Sequence, residues 1–188
     1  MINVLARDVF LNALLVFMAL VVILLLLVNP PSQKSDVTPP GNLIVTIVWP
    51  EGDVDVDLWL IGPDEPRPVG YSNKSGAEFS LLRDDLGNKS DSMPLNLENA
   101  FSRAVKAGHY VFNLHLYRGI GPIPVTMEIR VANMDGGQSR VLLTTKINLA
   151  REGQEVTAVQ FDLTSDGTII PGSVNNVFFG LRSNWVSQ

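Results

Sequence analysis

Two sets of carboxylates in this chain are spaced for chemistry. The first is a single acid, Asp8, in Arg7-Asp8-Val9-Phe10. It opens a run of twenty residues, Val9 to Val28, in which Asn12 is the only strongly polar side chain. A run of that length spans a hydrocarbon core of roughly 30 Å at about 1.5 Å per residue. An ionisable group in such a helix is costly, so by default it marks an ion path or a partner contact. The second set is Asp53, Asp55 and Asp57, on alternate positions of a strand pattern and roughly 7 Å apart at successive i+2 steps. Three carboxylates so placed repel, and Ca²⁺ would relieve the repulsion with oxygen ligands. A solvated sheet face explains the same spacing without an ion. Asp84 and Asp85 either complete such a site or cap a turn.

The rest of the inventory is sparse. His109 and His115 are the only histidines. His109 follows a turn glycine, and His115 sits on the more polar face of its strand. No Ser-His-Asp order, phosphate loop or histidine metal pair stands out, so neither enzymatic activity nor a cofactor is expected. The absence of cysteine removes disulfides, thiolate catalysis and cysteine-based zinc sites together. The net charge is −5, and Arg7 and Asp8 cancel, so the whole deficit lies after the apolar run. An acidic domain is a poor binder of nucleic acid or anionic lipid.

These groups are positioned by three segments. Residues 1–28 form a short tail and a transmembrane helix. A cleaved signal peptide would have a shorter apolar core and a small-residue cleavage site, whereas this run ends Leu27-Val28-Asn29-Pro30-Pro31. A plain signal anchor remains open: Asp8 then lies at the water boundary, where interfacial charges snorkel out at low cost. Charge flanks fix orientation weakly, with Arg7 before the span and Lys34 after it, and the N-terminus is expected inside. Residues 29–41 form a proline-rich linker, semi-rigid at about 3.1 Å per residue. Residues 42–188 form a soluble extracytoplasmic domain.

From residue 42 the hydrophobic pattern has period two, the mark of half-buried strands. Leu43, Val45, Ile47 and Trp49 share a face. Val54, Val56, Leu58 and Leu60 alternate with Asp53, Asp55, Asp57 and Trp59. Tyr110 to Leu116, Val125 to Val131, Val141 to Leu149 and Val159 to Leu163 continue the pattern. Pro50-Glu51-Gly52, Gly62-Pro63-Asp64, Lys106-Ala107-Gly108, Gly119 to Pro122, Asp135-Gly136-Gly137 and Ser165-Asp166-Gly167 punctuate it. Six or more short strands so separated predict an all-β fold, an antiparallel β-sandwich behind one N-terminal transmembrane helix. Leu97 to Val105 fits either a short helix or a strand.

The segment Asp8-Val9-Phe10-Leu11-Asn12-Ala13-Leu14-Leu15-Val16-Phe17-Met18 resembles the single membrane helix of the ExbD/TolR family. There an Asp-Val pair opens an apolar run that reaches Phe-Met nine and ten residues later. The resemblance covers about residues 7–20. It implies a one-span, MotB-like subunit of an ion-driven motor, with a cytoplasmic N-terminus and a periplasmic C-terminal part. It implies that Asp8 carries a proton or sodium ion. It also implies a homodimer of this chain inside a ring of a multi-span partner of the MotA/ExbB/TolQ kind. The chain departs from the family in having Arg7 before the acid and a shorter tail. Asn12, Leu15 and Ala19 lie on the Asp8 side of the helix and are the expected packing residues. Asn12 can hydrogen-bond the carboxyl or a neighbouring helix, and Ala19 allows close approach.

A second resemblance lies in the soluble part. Trp49 through Pro63, containing Asp-Val-Asp-Val-Asp-Leu-Trp-Leu-Ile-Gly-Pro, is similar to the opening of a bacterial β-sandwich family of the DUF2135 type. Ala107-Gly108-His109-Tyr110-Val111-Phe112 is similar to a late strand of that family. This implies a small extracytoplasmic sandwich and no reaction. The OmpA-type cell-wall domain of MotB-like subunits alternates strands and helices. Phe101-Ser102-Arg103-Ala104-Val105 lacks that surrounding pattern, so cell-wall binding does not carry over.

Overall fold

The computed structural model describes residues 2–28, 43–87, 95–132 and 139–185. The linker at 29–41 and the turn Asp135-Gly136-Gly137 lie outside the described residues. The chain divides into two compact units, residues 1–37 and 38–188.

In the first unit, helix α1 runs from Ile2 to Val28. Apart from Asn3, Arg7, Asp8 and Asn12 its side chains are apolar all round, and the described ones are nearly all exposed, which suits a helix whose solvent is lipid. The stretch Asn3–Leu25 has a mean hydropathy of 2.7 and is long and apolar enough to cross a membrane. The helix starts earlier than the apolar run predicts. Val4, Leu5 and Ala6 are compatible with helix and extend it back past Arg7 and Asp8. Beyond Val28 the sequence Asn29-Pro30-Pro31 disfavours its continuation.

The second unit is an antiparallel β-sandwich, as the period-two pattern predicts. Among the described residues, eight strands make two sheets: β1 (Leu43–Trp49), β2 (Asp55–Ile61), β3 (Phe79–Arg83), β4 (Asn96–Ser102), β5 (Gly108–Arg118), β6 (Ile123–Val131), β7 (Arg140–Leu149) and β8 (Glu155–Leu163). One sheet has the order β3-β4-β1-β6-β7 and the other β2-β5-β8. Leu43, Val45, Ile47 and Trp49 of β1 all face the core, as do Val125, Met127, Ile129 and Val131 of β6. Phe79, Tyr110, Phe112 and Phe161 bring their rings into edge-on and stacked contact at the centre. The Tyr110 hydroxyl donates to Lys106 O at 2.8 Å and accepts from Lys106 N at 3.1 Å, tying the core to the turn before β5.

One open alternative is resolved and two local expectations change. Leu97 to Val105 resolves mainly into strand β4, fixed by pairing with β1 on one side and β3 on the other. Strand β7 lies at the edge of the wider sheet, so Val141 stays exposed and Leu143 and Ile147 are only half-buried. The polar face of β2 is not solvated: every residue from Asp55 to Leu60 is buried. Trp59 on that face packs with Val111, Leu181 and Tyr71, because the chain after β8 folds back over the outer side of the smaller sheet. Glu155 anchors that return, accepting the backbone N–H groups of Leu181 and Arg182, each at 2.8 Å.

Candidate functional site: a buried carboxylate cluster at the edge of the smaller sheet

Strand β2 is an edge strand, bonded to β5 on one side only. Its other side must satisfy free backbone groups without a neighbouring strand. Leu60 solves this with Val69, exchanging two hydrogen bonds of 2.8 Å. Leu58 solves it with a side chain from the opposite sheet: Glu98 Oε2 accepts the Leu58 N–H at 2.8 Å. Glu98 faces the core on β4, opposite Ile47 in the β1–β4 register, and is 1 % exposed.

The loop after β3 supplies two more acids with separate tasks. Asp85 pins the loop. Its carboxylate accepts from Arg83 at 2.8 Å, from Leu97 N at 3.0 Å and from Gly87 N at 3.0 Å. Gly87 has φ +73°, a left-handed conformation that favours glycine, and a Cβ there would lie 2.8 Å from Val54 O. This turn holds Asp84 against β2. Lys74 pairs with Asp84 Oδ2 at 2.7 Å, while Asp84 Oδ1 is buried without a hydrogen-bond partner.

Strand β2 contributes Asp55 and Asp57. Asp57 stands opposite His115 in the β2–β5 register, and His115 Nδ1 lies 2.8 Å from Asp57 Oδ2. Asp55 stands opposite Arg118, at 3.7 Å, and its Oδ1 is buried without a partner. One oxygen each of Asp57, Asp84 and Glu98 lie within 4.8 Å of one another. Beside them opens a cleft of about 350 Å³ lined by Asp55, Asp57, Tyr71, Asp84, Tyr117 and Arg118, among others.

The electrostatics follow from this crowding. Burial, then the charge of Asp57, pushes the Asp55 carboxyl up to about 6, with Arg118 opposing. Burial raises Glu98 well above the ordinary carboxylate range; the Leu58 N–H opposes this, and Asp57 and Asp84 add to it. Charge in this cluster is costly unless a proton or a cation enters it.

Of the three aspartates that the spacing singles out, the structure brings Asp55 and Asp57 to the cleft and leaves Asp53 outside. Asp53 is exposed and pairs with Arg118 at 2.8 Å. Asp84 joins Asp57, whereas Asp85 serves the turn. Glu98 was not legible as a site residue. In Leu95-Asn96-Leu97-Glu98 the alternation turns the leucines inward, but Asn96 and Glu98 are the buried pair. The two histidines lie apart. His109 is exposed and bonds Asp162 at 2.7 Å and Gln160 at 2.9 Å.

In the other unit, Asp8 sits six residues into α1, about 9 Å along its axis at 1.5 Å per residue. Asn12, Leu15 and Ala19 are exposed along the helix at three- and four-residue steps from it. The sequence and fold were compared with family models, curated proteins and solved structures, and none of the three comparisons returned a match.

Proposed function

We propose that this chain is a single-span, stator-type subunit of an ion-driven inner-membrane motor complex. Asp8 carries the proton or sodium ion, and the sandwich is a periplasmic head that interacts with the envelope. The observation that carries this reading is the place of Asp8: within a continuous helix whose apolar side chains extend to both sides of it. Packed against partner helices and away from bulk water, such a carboxyl marks a path for an ion. It then loads an ion from one side and releases it to the other as the partner moves. The reading includes a dimer of this chain and a multi-span partner of the MotA/ExbB/TolQ kind, with no catalytic role for the head. The test is Asp8→Asn. Function and ion flux with the partner are expected to be lost while the protein stays in the membrane at its normal level. Unchanged flux would leave Asp8 as a boundary residue.

A second reading is favoured by Arg7. A guanidinium adjacent in sequence to Asp8 offers it a fixed charge partner in place of a mobile ion, and the helix then serves as an anchor for a binding module. The discriminating observation is whether the neighbouring gene encodes a multi-span protein of the motor-ring type.

A further inference from the structure

We infer that Asp57, Asp84 and Glu98, with Asp55 beside them, form a site for a hard divalent cation, Ca²⁺ by preference, at the cleft edge of the sandwich. The inference does not rest on the role of Asp8.

Geometry comes first. Three oxygens within 4.8 Å of one another lie at most about 2.8 Å from a common centre, so a closure of a few tenths of an ångström brings all three into the roughly 2.3–2.6 Å Ca²⁺–oxygen range. Mg²⁺ binds at about 2.0–2.1 Å in near-ideal octahedra, so it would require the carboxylates to close further. The donors are all oxygen, which suits a hard cation and not zinc or copper.

The second observation is independent of that spacing. Asp55 Oδ1 is buried and has no hydrogen-bond partner, on a side chain only 2 % exposed, and Asp55 lines the same cleft as Asp57 and Asp84. Asp84 Oδ1 likewise meets no donor among the described residues, and the Asp84 and Glu98 carboxyls are within hydrogen-bond reach of each other, a contact that needs a proton or a cation between them. Buried polar oxygens are almost always satisfied, so two orphans beside three converging carboxylates point to a missing positive partner.

The existing bonds fit that role. His115 on Asp57 and Lys74 on Asp84 each hold one oxygen, while Glu98 accepts the Leu58 N–H at 2.8 Å on one oxygen and the Asp85 N–H at 3.4 Å on the other, which fixes the carboxylate planes. Outer partners of this kind orient ligands in metal sites. The cleft opens beside Asp55, Asp57 and Asp84, and its volume leaves room for water to complete six to eight ligands.

The test uses the full chain in detergent, stripped with chelator and titrated with CaCl₂ by calorimetry and by thermal melting. Titration should run to about 10 mM, above the roughly 10⁻⁴–10⁻³ M range of extracellular Ca²⁺ modules. One Ca²⁺ per chain and a raised melting temperature are expected. Asp84→Asn, on a half-buried loop side chain, should lower affinity at least about tenfold, because altering even the outer groups that orient metal ligands costs roughly 10–100-fold. Asp53→Asn, outside the cluster, should leave affinity unchanged. Circular dichroism checks that each variant is folded. No heat and no melting shift with the folded wild-type chain would overturn the site. Equal losses for Asp53→Asn and Asp84→Asn would also overturn it, by showing diffuse charge attraction in place of a built site.

Discussion

His115 Nδ1 lies 2.8 Å from Asp57 Oδ2, and the two side chains are only 2 % and 5 % exposed. They stand directly opposite on β5 and β2, so the pair joins two strands of the smaller sheet and orients one carboxylate of the cluster. Removing one partner of a buried pair leaves the other unsatisfied, at roughly 3–5 kcal/mol when it stays charged. His115→Ala is therefore expected to destabilise the sandwich by about 3 kcal/mol or more. Asp57→Asn keeps an oxygen acceptor and removes one of the crowded negative charges, so it should cost less. Chemical denaturation in chelator, followed by tryptophan fluorescence, compares them. A larger loss for Asp57→Asn would contradict this account of the cluster.

Glu155 predicts an acid-sensitive strap. Burial alone would raise its pKa. Hydrogen bonds from Asn113 and from the backbone N–H groups of Arg182, Ser183 and Leu181 outweigh that and hold it below its usual 4.5. A depressed folded-state pKa gives stability that is fully present above the unfolded value and lost as pH falls through the folded one. Glu155→Gln should thus cost about 1–3 kcal/mol at neutral pH, the range for hydrogen bonds to a charged group. In acid, the stabilities of wild type and variant should converge. Hydrogen exchange at Leu181 and Arg182 reports the strap directly, and a gap that persists into acid would remove the charge from the explanation.

Gly87 sets the turn that carries Asp84. Its left-handed φ costs a non-glycine residue about 1–2 kcal/mol, and a Cβ there would meet Val54 O at 2.8 Å. Gly87→Ala is expected to destabilise the domain by about 2 kcal/mol or more and to weaken Ca²⁺ binding, because the loop must move off β2. Melting curves of the two forms, with and without Ca²⁺, measure both effects. A variant as stable as wild type would show that the turn tolerates the clash.

The native chain has no cysteine, so single cysteines along α1 carry no background. If α1 packs in a motor complex through its Asp8 side, cysteines at Leu11, Leu15 and Ala19 should cross-link a second copy or a multi-span partner more than those at Phe10, Phe17 or Leu24. Ala19 permits close approach, and Asn12 offers an interhelical hydrogen bond of about 0.6–2 kcal/mol. Uniform labelling around the helix, with no partner recovered in mild detergent, would favour the anchor reading.

The sequence by itself determined the architecture. Strand side chains alternate with period two and membrane helices need about twenty apolar residues, and both are local properties that a single chain displays. Leu43, Val45, Ile47 and Trp49 could only be an inward face, and Val9 to Val28 could only be long and apolar. The site was decided by tertiary structure. Asp55 and Asp57 look like a wet strand face until β5 places Arg118 and His115 opposite them and the chain after β8 covers their neighbour Trp59. Glu98 looks outward by its own alternation. It is turned inward because Ile47, its register partner, faces the core and the free Leu58 N–H lies across the sandwich. Its distance from Asp57 and Asp84 depends on how two sheets stack, and no spacing along the chain encodes that.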